Sequence, residues 1–432
     1  MRNKRDKALS GTERGRRRPL LMFGVALLAA AALAACSSSS SSSTTSTSTS
    51  TSTSSSSASA SPASASSSTI QVASIASLTG AASFAGWQLG AQVYVDWVNA
   101  HGGVNGHKIN LTILDDAGSP TQDVQLARKE IDAGVVGFAG SISLSDCDVN
   151  GSYYDTTGTV VIDVGSDQAC FDNPNIDPVN SGPQVDTELQ MIYAAQVLHD
   201  TKVCLFTIAV PGEASQYVAA LKVFTQVTGL QPATTVENYP VTGNPAPAVL
   251  KFKNAGCQAV ILPVEAIQGV PLLKDAAADG IHNITWLSGL SLYDPAFLSA
   301  AGSAANGMYI GLEFAPFNIA ASDQMVDAFK AANVPISQPE ESSYTAAYVF
   351  TQILDTIKGP ITRASVLAAY KAMKPVCVPT LGTPMTFGAT AGGHHPNEAS
   401  FFTKVVNGAF VNVNASDSWF KVPGFTAPIS CS

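Results

Sequence analysis

The stretch that decides the fold is "NAHGGVNGHKINLTILDD", Asn99–Asp116. Its first residues complete a predicted helix, since three apolar residues recur at helical spacing just before it: Ala91, Val95 and Val98. Gly102 or Gly103 suits the left-handed conformation that ends a helix, and Asn105-Gly106 supplies the positive backbone angles of a tight turn. The chain is therefore predicted to reverse direction directly after the helix.

An alternating pattern follows this turn. Ile109, Leu111 and Ile113 alternate with polar residues, which predicts a strand that ends on the acidic pair Asp115-Asp116. An earlier strand is predicted for "IQVASIAS", residues 70–77. Strand, helix and strand form a unit that builds parallel sheets, and ligands in such sheets bind beyond the carboxyl ends of the strands. Binding residues are therefore expected in the segments that follow each strand.

The same alternation continues along most of the chain. In the first half it predicts strands at Lys108–Leu114, Val135–Ala139 and Val160–Val164 and a helix at Thr121–Ala133. The second half is predicted as helix Val185–His199, strand Lys202–Ile208, helix Ala214–Val227, strand Thr234–Tyr239, helix Ala246–Asn254, strand Ala259–Val264, helix Val270–Asp279 and strands Ile284–Leu287 and Met308–Leu312. Two such halves predict an α/β fold of two doubly wound, Rossmann-like lobes.

Two irregular segments are predicted crossings between the lobes. They are "FDNPNIDPVNSGPQ", residues 171–184, with three prolines, and "EFAPFN", residues 313–318. Three helices follow at Ser322–Ala332, Glu341–Lys358 and Ala364–Lys374, with short strands at Met385–Phe387 and Ser400–Val406. Helices without a sheet of their own must pack on an existing one, so the chain is predicted to return to the first lobe.

The opening of this region carries a specific pattern of short motifs. These are Leu78-Thr79-Gly80, Gly90-Ala91, Asn99-Ala100, Gly102-Gly103-Val104-Asn105-Gly106 and Asp115-Asp116. The pattern resembles type I periplasmic binding proteins of the branched-chain amino acid and amide class, the substrate-binding lipoproteins of ABC transporters. The order of elements is similar from about residue 69 to 420. The resemblance implies two lobes, joined by three crossings, that close on a small ligand and deliver it to an ATP-driven importer.

The domain boundaries predicted on this basis divide the chain into five parts. They are a signal peptide at 1–35, a tether at 36–68, lobe 1 at 69–180 with about 314–398, lobe 2 at 181–313 with about 399–422, and a C-terminal tail at 423–432.

The N-terminal part indicates export. Eight basic residues precede a short apolar run, residues 20–35, which is typical of a signal peptide rather than a membrane span. The run ends in "LAAC", which resembles the lipobox of bacterial lipoproteins, whose cysteine, here Cys36, carries a lipid. An ordinary secretion signal with an incidental cysteine is the alternative. The Ser/Thr-rich tether has almost nothing to bury and is predicted to be flexible, so the expected location is extracytoplasmic and lipid-anchored at the cell membrane.

The net charge limits the class of partner. Residues 1–35 contribute +6 to the whole-chain charge of −9, so the remaining chain carries −15. Nucleic acid is therefore not an expected partner, because phosphate binding requires a basic surface. The expected partners are a small-molecule ligand (an amino acid, amide or small carboxylate), an ABC permease and, through the lipid, the membrane.

The remaining six cysteines favour disulfides, because their number is even and the compartment is oxidising. The preferred pairs are near in sequence: Cys147 with Cys170, Cys204 with Cys257, and Cys377 with Cys431. A structural metal site is the alternative, although no Cys-x-x-Cys pair supports it.

The first-lobe candidates for ligand binding follow its strands. They are Phe84 (with Trp87 as a second aromatic wall or core residue), Ser143, Leu144, Ser145, Gly165, Ser166 and Asp167. Hydroxyls and backbone N–H groups at helix starts suit an anionic or polar group, and serines that cap helices are an equal explanation. The resemblance implies that residues 143–145 and 165–167 hold the carboxylate of the ligand.

The second-lobe candidates depart from the family pattern. Amino acid-binding members usually have aromatic residues in the first two loops and a glutamate in the third, where this chain has Ala214, Glu265 and Leu290. Glu265 is a candidate for cation recognition, with helix capping or solvation as the alternative.

Other chemistry is not expected. Asp115 and Asp116 point to opposite faces of a strand, and no nucleophile and base pair or phosphate-binding loop occurs, so the chain is predicted not to be an enzyme and to need no cofactor. His394, His395 and Glu398 could be a metal site, but a solvated loop is preferred, and no metal is expected. A ligand sensor that signals through a membrane partner is the alternative function.

Overall fold

The computed structural model describes residues 69–80, 83–210, 212–388, 394, 396–413 and 419–421. The predicted signal peptide, Cys36, the tether, His395 and the tail with Cys431 lie outside the described residues. The described residues belong to one compact unit. Among them, no helix combines the length and the apolar character needed to cross a bilayer.

The first lobe is built on a five-stranded parallel sheet. Its strands are β1 (Ile70–Ala76), β2 (Ile109–Asp115), β3 (Phe138–Ser141), β4 (Val161–Asp163) and β5 (Ile176–Pro178), in the order β2-β1-β3-β4-β5. The helices between them are α1 (Leu89–Ala100), α2 (Pro120–Ala133), α3 (Asp146–Thr157) and α4 (Gln168–Asp172). This order places the ends of β1, β3 and β4 side by side.

The second lobe is built on an eight-stranded sheet. Its strands are β6 (Val203–Ile208), β7 (Thr234–Tyr239), β8 (Ala259–Leu262), β9 (Thr285–Ser288), β10 (Tyr309–Leu312), β11 (Ala399–Val406), β12 (Ala409–Asn412) and β13 (Phe420–Lys421). Its helices are α5 (Gly182–Gln196), α6 (Ala214–Thr228), α7 (Ala246–Ala255), α8 (Ala266–Ala278) and α9 (Pro295–Ala301). Strands β6 to β10 are parallel, and β11 joins β10 in the antiparallel direction.

The chain returns to the first lobe between β10 and β11, as predicted. The returning helices are α10 (Asp323–Ala332), α11 (Gln338–Asp355) and α12 (Arg363–Ala372). Helix α11 packs on α1 and β3, and its Phe350 and Ile353 lie in the same apolar core as Val72 of β1 and Ile162 of β4.

The turn after α1 uses the predicted residues. Four of them have positive φ: Gly102 (108°), Gly103 (76°), Asn105 (50°) and Gly106 (82°). Gly103 is also confined, since a Cβ there would lie 2.1 Å from the carbonyl oxygen of His107. A side chain at this position is therefore excluded both by conformation and by space.

The acidic pair after β2 has a structural role. Asp115 accepts hydrogen bonds from the backbone N–H of Leu78 (3.0 Å) and from the hydroxyl of Thr79 (2.7 Å). Asp116 accepts one from the hydroxyl of Ser77 (3.1 Å). The two carboxyls therefore fasten the turn that leaves β1 to the end of β2.

Two predicted segments differ in the structure. Strand β5 lies inside the segment predicted as a crossing, and helix α5 already begins at Gly182. Pro178 is tolerated there because β5 is the edge strand of its sheet. The strand predicted at Met385–Phe387 is wrong: Met385 makes only an isolated bridge with Val376, next to Pro384, which has no N–H to donate.

Two of the three predicted disulfides are confirmed. Cys147 of α3 is bonded to Cys170 of α4, and Cys204 of β6 is bonded to Cys257, which precedes β8. Cys431 lies outside the described residues, so its pairing with Cys377 stays a prediction.

Candidate functional site

A cavity of about 500 Å³ lies between the two lobes. The loop after β1 and the segment after β4 form its first-lobe side, and the loops after β6, β8 and β9 form its second-lobe side. Asn180 and Glu313, from the two connecting segments, also line it. The cavity is therefore bounded by the strand ends, where ligand contacts are expected in parallel sheets.

The predicted binding residues divide into two groups. Those that line the cavity are Phe84, Trp87, Leu144, Gly165, Ser166, Glu265 and Leu290. Among the described residues, Ser143, Ser145, Asp167 and Ala214 are not part of its lining.

The residues outside the lining have other partners. The hydroxyls of Ser143 and Ser145 both donate to Asp123 Oδ2, at 2.7 and 3.0 Å. Asp167 caps α4 by accepting from the backbone N–H of Ala169 at 2.7 Å. Ala214 is an exposed residue at the first position of α6. The capping alternative applies to the serines, and Ser143 agrees with it, since its hydroxyl oxygen accepts from the backbone N–H of Asp146, the first residue of α3, at 3.1 Å.

Two aromatic residues form one wall of the cavity. The rings of Phe84 and Trp87 lie 5.0 Å apart between centroids with planes inclined by 53°. The backbone N–H of Phe84 donates to the carbonyl of Ser77 at 2.8 Å, at the end of β1. This wall is therefore hydrogen-bonded to the same turn after β1 that Asp115 and Asp116 stabilise.

Several first-lobe donors beside the cavity already have acceptors within the protein. The backbone N–H of Gly165 donates to Asn180 Oδ1 (2.8 Å), and that of Leu144 donates to the hydroxyl of Ser77 (3.2 Å). The hydroxyl of Ser166 donates to the carbonyl of Ser143 (3.3 Å). These groups are not free to bind an anion without losing a hydrogen bond.

Carboxyl groups are the main chemical feature of the cavity. Six of them line it: Asp186, Glu213, Glu265, Asp294, Glu313 and Glu340. Among the described residues that line it there is no lysine, arginine or histidine. The titratable carboxyls of the lining are therefore not matched by any basic side chain among the described residues.

Asp186 and Glu313 are the most buried of these six residues. Glu313 accepts hydrogen bonds from the backbone N–H and the hydroxyl of Ser181, the latter at 2.7 Å, which joins the two connecting segments. Asp186 Oδ2 accepts from the side-chain amide of Gln190 at 2.8 Å. Burial raises the pKa of Asp186 well above its usual range, and the nearby Glu313 raises it further; burial raises the pKa of Glu313 to about 7.

Glu213 and Glu265 lie on the second-lobe side. The Tyr217 hydroxyl donates to Glu213 Oε2 (2.7 Å), and the Ser291 hydroxyl donates to Glu265 Oε1 (2.8 Å). Both glutamates line the cavity, and both are only partly exposed. Burial raises the pKa of both groups to about 7, and the charge of Glu265 adds to the shift at Glu213.

Sequence reasoning named only Glu265 among these six carboxyls. Two others could have been found from their place in the sequence. Glu213 lies in the loop after a predicted strand, and Glu313 is the first residue of a predicted crossing between the lobes. Asp186 had no such signal. It lies near the start of a buried helix, where a carboxylate is unexpected from the sequence alone.

The described residues contain one geometric cluster of metal-ligand types, Cys147, Asp167 and Cys170. The two cysteines are bonded to each other, so they offer no thiolate to a metal ion. The interpretation of His394 as part of a solvated loop is wrong. Its side chain is buried, and its Nε2 lies 3.0 Å from Asp177 Oδ1, because this segment packs against β5.

Known proteins resemble the chain over most of its length. Residues 69–409 match the Periplasmic binding protein family. A Leu/Ile/Val-binding protein homolog 3 from Brucella melitensis is 24% identical over 71% of this chain and 84% of its own length.

Solved structures share the fold. The fatty acid ABC transporter substrate-binding protein from Thermomonospora curvata has a TM-score of 0.72 at 18% identity, over 84% of this chain and 95% of that one. A branched-chain amino acid ABC transporter protein from Thermus thermophilus with bound valine has a TM-score of 0.71 at 18% identity, over 83% and 97%. These similarities confirm the predicted two-lobe fold, and the chain belongs to the periplasmic binding protein family.

Proposed function

We propose that the chain is an extracytoplasmic solute-binding lipoprotein that captures a small molecule between its lobes and delivers it to an ABC importer. The observation that carries the proposal is the cavity whose walls come from both lobes, because a ligand there contacts both and favours the closed arrangement. The similarity to substrate-binding proteins of ABC transporters supports the transport role.

The lobe-closing role can be tested without knowing the ligand. The exported chain, with Cys36→Ala to prevent lipidation, is melted in the presence of amino acids, amides, short carboxylates and amines. A ligand that binds only the folded protein raises the melting temperature by mass action. We expect one chemical class to raise it, and Glu265→Gln to reduce that shift. No shift with any compound would contradict the proposal.

The anchor is tested separately. Cys36 follows "LAA" at the end of the signal peptide, which supports lipid attachment, and the tether would leave the lobes free beside the membrane. We expect the full chain to sediment with membranes and Cys36→Ala to move it to the soluble fraction. Equal membrane association of both forms would contradict the lipid anchor and leave solute binding unaffected.

A further inference from the structure

We propose that the solute is an organic cation, an amine with an apolar body and no carboxylate of its own. This inference rests on the proposed function and refines it by naming the class of ligand. It also differs from the expectation that residues 143–145 and 165–167 hold a ligand carboxylate.

The first support is an unsatisfied acceptor on a buried residue that lines the cavity. Asp186 is 7% exposed, and its Oδ1 is buried without a hydrogen-bond partner among the described residues. Gln268 is also 7% exposed and part of the lining, and its side-chain oxygen is likewise buried without a hydrogen-bond partner among the described residues. A buried acceptor without a donor is costly, and an ammonium group brings donors together with the opposite charge.

The position of Asp186 places this acceptor next to the third second-lobe loop. A Cβ on Gly289 would lie 2.4 Å from Asp186 Oδ2, so the carboxyl lies directly against the backbone of that loop. Gly289 also lines the cavity. The absence of a side chain at this position therefore leaves room for the carboxyl beside the ligand space.

The second support is the balance of donors and acceptors. The first-lobe donors of Gly165, Leu144 and Ser166 already serve Asn180, Ser77 and Ser143. No cationic side chain lines the described cavity to meet a carboxylate. An anionic group would therefore meet six carboxyls and no compensating charge, whereas a cation meets charge of the opposite sign.

The third support is the wall formed by Phe84 and Trp87. Aromatic faces attract organic cations through the ring quadrupole, and their apolar surface accommodates the carbon skeleton of an amine. The remaining walls include apolar residues from both lobes: Ile142, Leu144, Val164, Ile208, Val264 and Leu290. Carboxyls combined with aromatic and aliphatic walls suit an alkyl- or arylamine better than an inorganic cation, which prefers oxygen ligands throughout.

Carboxyls from different lobes also approach each other. Burial raises the pKa of Glu340 in α11. The nearby carboxyl of Asp294, which precedes α9 of the second lobe, raises it further. The pKa of Glu213 is likewise raised mainly by burial and further by the carboxyl of Asp167 of the first lobe. A cation between these groups offsets the repulsion that opposes lobe closure, which couples ligand charge to capture.

The test compares amines with the amino acids that differ from them by one carboxylate. The pairs are 3-methylbutylamine and leucine, 2-phenylethylamine and phenylalanine, and 1,5-diaminopentane and lysine. Titration calorimetry at pH 8 on the exported chain measures the dissociation constants. We expect the amine to bind about tenfold or more tightly than its amino acid in at least one pair.

The outcomes separate this inference from the proposed function. Tighter binding of the amino acids, or no binding of any amine up to about 10 mM, overturns the cation proposal. If an amino acid or another solute still binds, the solute-binding function stands. If nothing in the wider library binds, both fail.

Charge-neutralising variants test the assignment to this cavity. Asp186→Asn and Glu265→Gln keep the size of the side chain and one acceptor oxygen but remove the charge, and each is expected to weaken amine binding by about tenfold. Glu237→Gln removes the same charge from an exposed position on β7 and serves as the matched control. Equal weakening by all three variants would indicate only a long-range effect of net charge and would overturn the assignment.

Discussion

The side-chain amide of Gln216 donates a hydrogen bond of 2.8 Å to the carbonyl oxygen of Ser166. Gln216 belongs to α6 of the second lobe, and Ser166 follows β4 of the first, so this bond joins the lobes beside the cavity. Gly212 lies at the same contact, where a Cβ would be 2.5 Å from that of Asp167. The lobes therefore meet closely at this edge.

Removing this bond is predicted to weaken ligand capture. Gln216→Ala takes away one interlobe hydrogen bond, which contributes about 0.5 to 1.5 kcal/mol, so ligand affinity should fall by roughly two- to tenfold. Calorimetry with the ligand found in the melting screen measures the change. Gln226→Ala, an exposed residue of the same helix, should leave affinity unchanged, and equal affinity of all three proteins would contradict the role of the bond.

Asp186→Asn is predicted to stabilise the empty protein while it weakens binding. The variant replaces a carboxyl whose charged form is disfavoured by burial and by Glu313, and it keeps an oxygen for Gln190, so the free energy of unfolding at pH 8 should rise by about 1 to 2 kcal/mol. Urea unfolding measures it. Asp132→Asn, at an exposed position of α2, is the control; a less stable Asp186→Asn would contradict the prediction.

The stability of the empty protein is predicted to fall as pH rises from about 4.5 to 7. Glu213 and Glu265 have pKa values raised by burial from 4.5 to about 7, so the folded chain holds protons there that the unfolded chain has released. Their contribution is therefore complete below the unfolded pKa and is lost as pH rises through the folded one. Urea midpoints at pH 5 and pH 7.5 measure it, and the double variant Glu213→Gln with Glu265→Gln should reduce the difference.

Amine binding is predicted to have the opposite pH dependence. The carboxyls of the cavity must release their protons to meet a cation, so affinity should increase between pH 5 and pH 8 and binding should release protons. Calorimetry in buffers of different ionisation enthalpy counts those protons. Affinity that is constant over this range would show that the carboxyls do not exchange protons for ligand.

Loss of the disulfide between Cys204 and Cys257 is predicted to cost more stability than loss of the bond between Cys147 and Cys170. The first closes a sequence separation of 53 residues and the second one of 23, which corresponds to about 4 and about 3 kcal/mol in the chain-entropy account. Paired serine substitutions and urea unfolding measure both. The reverse order would indicate that local packing, rather than chain entropy, determines their contribution.

Most strands and helices were predictable because apolar periodicity is a local property. Strand Thr234–Tyr239 has the predicted bounds, and the turn at Gly102–Gly106 has the predicted backbone angles. Strand β5 was hidden because its three residues, Ile176–Pro178, lie in a segment with three prolines and end on one of them, and only the neighbouring β4 makes them a strand. Local pattern does not reveal a pairing of that kind.

The site was predictable in location and only partly in chemistry. The rule that ligands bind beyond strand ends led to Phe84, Gly165 and Glu265, each in the segment that follows a strand. Asp186 comes from the second turn of a helix and reaches the cavity only through the packing of α5 against the loop at Gly289. Its importance therefore depends on tertiary packing, which one sequence does not contain.

The return of α11 to the first lobe also determines when the protein can finish folding. The first core needs residues as late as Phe350 and Ile353, and the second sheet needs β11 and β12 after that. Neither lobe is complete until nearly the whole chain is present. During synthesis the chain therefore remains without a finished core until almost all of its residues have been added, so the early segments stay unfolded or only partly folded for most of that time.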